Sequence, residues 1–155
     1  MSKKILAIVS NFGYWGVEIT GPMVKLEEAG YTLEFATPKG ERPIALPPSY
    51  DTDYMDPPLG THVTTQFDAD QVKSIMDDPK LDYPNNISEW FPERPYFSSD
   101  KFLREWEKYF KKVKQLQEDL LEEYAGILIV GGSGPILDVV NNHRVHDMIM
   151  GFYKA

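Results

Sequence analysis

Two short stretches carry residue types that could do chemistry. The first is Gly131-Gly132-Ser133-Gly134-Pro135, which follows the apolar run 127–130 and precedes a helix-like pattern. A strand that ends in glycines ahead of a helix can present successive backbone N–H groups to an anion or to a developing oxyanion. It can equally be a tight strand-to-helix turn that binds nothing. The second is Glu18, placed where the first helix begins, just beyond the first strand. A carboxylate there is favourable in itself, because it offsets the positive helix N-terminus. If strands one and three are neighbours, Glu18 and Gly131-Gly132 share one rim. A carboxylate beside an oxyanion nest is half of a site for general acid–base work.

Other chemistry-bearing residues are less organised. His143 and His146 stand three apart near a helix start, and His62 lies far from both. No acidic cluster at ligand spacing accompanies them, so surface or capping roles are expected and no metal or other cofactor is called for. The glycine turn is not a dinucleotide fingerprint, since residues 11–16 supply only G-x-x-G in the first βα turn. It is not a P-loop, because no Lys-Ser or Lys-Thr follows.

These residues need elements to hold them. Residues 4–10, KILAIVS, form a near-continuous apolar run, as expected of a strand buried on both faces of a parallel sheet. Residues 11–16 form a loop. Residues 17–29 read as a helix with Met23, Leu26 and Ala29 inward. Pro22 fits only a first turn, which places the regular helix start near Thr20 or Gly21. Gly30 suits the C-terminal cap. Residues 32–38 read as a second strand, parallel to the first, followed by a Lys39-Gly40 turn. Residues 99–123 are a helix capped by Ser99 or Asp100, with Phe102, Trp106, Phe110 (with Tyr109), Val113, Leu116 and Leu120 inward. Residues 126–130 are a third strand, and Val145, Met148, Ile149 and Phe152 stripe a last helix. The order predicts an α/β fold: an open parallel sheet with helices on both faces, a flavodoxin-like three-layer sandwich.

The stretch at about 41–98 differs. Most of the 12 prolines lie there. It reads as an ordered insertion with a short helix near residues 68–76, because it is rich in aromatics, which disordered tracts lack. Tyr50, Tyr54, Trp90, Tyr96 and Phe97 could line a pocket or form a satellite core beneath a long loop.

Composition bounds the function. The 155 residues suffice for one domain, and the net charge of -8 argues against nucleic acid or an anionic membrane as partner. The absence of cysteine excludes disulfides, thiolate metal ligands and a thiol nucleophile from these residues. No apolar run has the length of a membrane span, and the N-terminus lacks a signal pattern, so the cytoplasm is expected.

The stretches KILAIVSNFGYWGVEITGP, LEEAGYTLEFATPKGERP and YAGILIVGGSGPILDVVNN resemble the ThiJ/PfpI superfamily. This α/β-sandwich group includes the class I glutamine amidotransferase-like domains. The Glu18-to-Pro22 step, Ala29-Gly30, Thr37-Pro38-Lys39-Gly40 and Tyr54-Met55-Asp56-Pro57 are most similar to the glyoxalase III-like and heat-shock-chaperone-like branch. That branch also carries an insertion before the strand ending in Gly-Gly.

The resemblance implies that Glu18 shares a proton with a cysteine nucleophile and that Gly131 and Gly132 give backbone N–H to an oxyanion. Ser133 stands where relatives often have His or Asn. It further implies that residues 1–155 are a single partial domain, ending before the strand and elbow that carry the cysteine. The expected activity is that of a lyase or hydrolase on a small carbonyl or amide, with methylglyoxal as the leading substrate, once a Cys-bearing C-terminal segment completes the site. The chain alone would be inactive. Such a complementary chain and an oligomer are the expected partners. The alternative is a non-catalytic chaperone-like or partner-binding module, and a nucleotide-binding protein is a further reading.

Overall fold

The computed structural model describes residues 3–96 and 101–155. Four strands form one parallel sheet: β1 (Lys4–Ile8), β2 (Thr32–Thr37), β5 (Asn85–Asn86) and β6 (Gly126–Ile129), in the order β5-β2-β1-β6. A two-stranded hairpin, β3 (Met55–Asp56) with β4 (Thr61–His62), stands apart from it. The residues of β1 and Val9 just after it alternate between two cores, as the two-residue period of a strand requires. Leu6 and Ile8 join one cluster with Ala36, and Ala7 and Val9 join another with Leu33 and Phe35.

Each cluster is closed by its own helices. The first is covered by α4 (Phe102–Glu123) through Tyr109, Val113 and Leu120, and by α6 (His143–Lys154) through Val145 and Met148. The second is covered by α1 (Val17–Glu28) through Ile19, and by α2 (Gln66–Met76) through Val72 and Ile75. The α/β three-layer architecture is therefore as expected.

Several local expectations change. Helix α1 starts at Val17, so Pro22 lies inside it rather than in its first turn. The start is set by bonds from the Glu18 N–H to Trp15 O and from the Ile19 and Thr20 N–H groups to Gly16 O. Ala29, expected inward, is exposed, while Ile19 and Thr20 are buried. On α4 the inward aromatic is Tyr109, and Phe110 is 59% exposed. Ser99, Asp100 and Phe97 lie outside the described residues.

The insertion is more than a loop over a satellite core. It supplies β5 to the main sheet, the short helix α3 (Ile87–Trp90), and Ile87 and Phe91 to the first cluster. It also supplies α2, whose Thr65 forms a capping box with Asp68. Of the aromatics proposed for a pocket, Tyr50 and Trp90 flank the two cores and Tyr96 is exposed. A polar clamp fastens the end of the insertion: Arg94 binds Asp147 of α6 at 3.0 Å, and the Tyr109 hydroxyl donates to the same carboxylate.

Tyr14 is fully buried in the second cluster, and its hydroxyl has no hydrogen-bond partner among the described residues. Burial pushes that hydroxyl up to about 12. An unpaired buried hydroxyl is a cost with no offsetting bond. Tyr14→Phe is therefore expected to leave stability unchanged or to raise it by up to about 1 kcal/mol, read from the urea midpoint. A loss above that would show that the hydroxyl has a partner after all.

Candidate functional site

The ends of β1 and β6 bring the two chemistry-bearing stretches together. The strands are neighbours, and Ile8 pairs with Ile129. Beyond them the loop 10–16 and the turn 131–134 run against each other. Trp15 N–H donates to Gly131 O at 3.1 Å. Glu18, in the first turn of α1, lies directly over Gly131. A Cβ placed on Gly131 would sit 3.3 Å from the Glu18 carboxyl carbon and 3.5 Å from Oε1. Position 131 is thus free of a side chain where the carboxylate rests.

The other glycines of the turn answer to the neighbouring loop. Gly132 has φ +121°, a backbone region that L side chains rarely adopt, and a Cβ there would meet Trp15 N at 2.7 Å. Gly134 has ordinary helical angles. It is glycine because a Cβ would sit 2.0 Å from Gly13 O. Close contact between two backbones accounts for Gly132 and Gly134, whatever the turn binds. The N–H groups of Gly131, Gly132, Ser133 and Gly134 have no acceptor among the described residues. They remain available as donors.

Sequence reasoning missed the residue that ties this rim together. Asp138 closes the short helix α5 (Pro135–Asp138) and reaches back to the end of β1. It accepts from Ser10 Oγ at 2.6 Å and from the Asn11 N–H at 2.8 Å, and Ser10 Oγ in turn accepts from the Phe12 N–H at 2.9 Å. Asn11 extends the web: its Oδ1 accepts from the Lys39 N–H and its Nδ2 donates to Glu41 O. The signal available in sequence was a lone acid inside the apolar stretch that follows the glycines. Asp138→Ala would strand the buried Ser10 hydroxyl and one backbone N–H. It is expected to cost roughly 2–3 kcal/mol in urea unfolding. A cost under a few tenths would mean that water replaces the carboxylate without loss.

The histidines stand elsewhere. His143 Nε2 lies 3.4 Å from Pro92 O, His146 Nε2 lies 2.7 Å from Val140 O, and His62 is on the exposed hairpin. No group of three or more His, Asp or Glu suited to a metal occurs among the described residues. No described helix is long and apolar enough to cross a membrane.

A sheet end that places Glu18 on a Gly-Gly turn fits the family resemblance, and comparison with known families decides it. The family model described as ThiJ/PfpI family-like matches residues 9–155. The chain belongs to this family. No curated protein and no solved structure gives a significant match. The bounds of the match include residues 41–98.

Proposed function

We propose that this ThiJ/PfpI-like domain supplies the acid–base and oxyanion half of a cysteine-dependent active site for a small carbonyl or amide compound. The observation that carries the reading is Glu18 resting on Gly131 beside four N–H groups that have no acceptor among the described residues. The thiol must come from outside these 155 residues, which contain no cysteine. A further strand has a place to join. One edge of β6 is unpaired among the described residues, and Ile129 beside it is 39% exposed.

In that site the thiol sulfur attacks the carbonyl carbon as Glu18 takes its proton. The C=O electron pair moves to oxygen, whose charge faces the N–H groups of the glycine turn. In the adduct of a two-carbonyl aldehyde, the C–H proton next to sulfur passes to the neighbouring carbonyl carbon, which becomes an alcohol and leaves a thioester. Water hydrolyses the thioester, releasing the 2-hydroxy acid and the thiol. A two-carbonyl aldehyde of the methylglyoxal type is the leading substrate. The test is turnover of such an aldehyde by the chain combined with a Cys-bearing C-terminal segment. Absence of turnover in the combined protein overturns the reading.

A second reading is favoured by the exposed apolar side chains that follow the glycine turn. Ile136 is 64% exposed, Leu137 68% and Val140 55%. Such a patch can hold an unfolded partner without chemistry. Suppression of client aggregation that survives Glu18→Gln and is lost with Leu137→Ser would favour this chaperone-like role.

A further inference from the structure

Helix α4 carries its charges in an unusual order. Its outward stripe, at alternating steps of four and three residues, reads Arg104, Lys108, Lys111, Gln115, Glu118 and Glu122. All six are exposed, and they lie opposite the buried face of Tyr109, Val113 and Leu120. The basic residues occupy the N-terminal half and the acidic residues the C-terminal half. That polarity opposes the helix macrodipole, which favours acids at the start and bases at the end. The last turn of α4 has no basic residue at all. Nor is the order explained by pairing within the chain. Lys108 meets only Glu105, Lys114 meets Glu118 at a loose 3.7 Å, and Arg104, Lys111 and Glu122 form no ion pair among the described residues.

We infer that this face of α4 docks against the same face of a second copy of the chain, the two helices running antiparallel about a two-fold axis near residue 113. The stripe is antisymmetric in charge, which is what an isologous contact requires. In that register Arg104 faces the partner's Glu122, Lys108 faces the partner's Glu118, and Lys111 faces the partner's Gln115. The symmetry repeats each pair. A partner of single charge sign would match only half of the helix.

Apolar contacts flank the same axis. Leu103 is 72% exposed, Phe110 59% and Leu121 37%. The register brings Leu103 beside the partner's Leu121, and Phe110 beside the partner's Lys114 in a cation–π contact. Exposed ion pairs contribute little each, so the apolar flank supplies affinity and the charges supply register. The proposed contact uses no residue of β6. The inference is therefore independent of the proposed catalysis, which is read by Glu18-dependent turnover.

Sedimentation equilibrium of the full chain tests it. The wild type should self-associate, more weakly as salt rises. The double variant Arg104→Glu with Lys108→Glu should raise the dimer dissociation constant at least about tenfold. Adding Glu118→Lys and Glu122→Arg should return it to within about threefold, because the swapped stripe is again self-complementary. All four positions are exposed, and circular dichroism verifies that each variant is folded. A chain that stays monomeric at every concentration overturns the inference. So does association unmoved by the reversal, reversal without rescue, or a dimer broken by Ile127→Pro on β6 but indifferent to the α4 charges.

Discussion

Gly134→Ala is expected to destabilise the chain by about 3 kcal/mol or more, a large part of the stability of a domain this size. The added methyl would sit 2.0 Å from Gly13 O and 2.8 Å from both Gly13 N and Phe12 C. All three are backbone atoms, so no side-chain rotation relieves the overlap. The turn and the loop 10–16 must move apart. That strains the Trp15-to-Gly131 bond and the two bonds that Asp138 makes to Ser10 and Asn11. Conformational preference contributes little, because Gly134 has φ -57° and ψ -44°, angles that alanine favours. Gly21→Ala is the control. Gly21 lies within α1, and a Cβ there meets nothing within 4 Å. That change should raise stability by up to about 1 kcal/mol through helix propensity. Urea midpoints of the two variants should move in opposite directions. Equal tolerance of both would mean that the two loops are not in contact.

Glu18→Gln is expected to reduce turnover of the Cys-completed enzyme by roughly 100- to 10,000-fold, the usual worth of a positioned acid–base group. Substrate binding should change far less, because the glycine N–H groups remain in place. The substitution preserves size and sits on an exposed side chain in the first turn of α1, so the unfolding midpoint should hardly move. Only the removal of an N-terminal carboxylate acts on stability, at about 0.3–1 kcal/mol. The division between kcat and KM is decisive. A loss confined to KM would make Glu18 a binding residue, and no loss would remove it from the chemistry.

Much of the architecture was legible because it rests on local pattern. KILAIVS is apolar without alternation, and it lies in the sheet with cores on both sides. The final stripe of Val145, Met148, Ile149 and Phe152 faces the core along α6. Periodicity was less reliable where two neighbours competed for one position. Tyr109 and Phe110 both suit the stripe of α4, and the choice falls to Tyr109, whose hydroxyl reaches Asp147 across the helix pair. Strand β5 left no signal, since Asn85-Asn86 is neither apolar nor β-branched. It is a strand because the edge of β2 offers it partners at Ala36 and Thr37.

By itself the sequence determined the α/β class, the parallel pairing of β1 with β2, and the placing of Glu18 and of Gly131-Gly132 at element ends. Those follow from periods of two and 3.6 residues and from the few backbone shapes that proline and glycine mark. Only the tertiary structure decided that β1 and β6 are neighbours, so that the carboxylate rests on the glycine turn. It alone gave Gly132 and Gly134 their reason, and made Asp138 the link between two loops about 127 residues apart. Contacts of that kind have no period, because they depend on which strands lie side by side. Local composition does not encode that order.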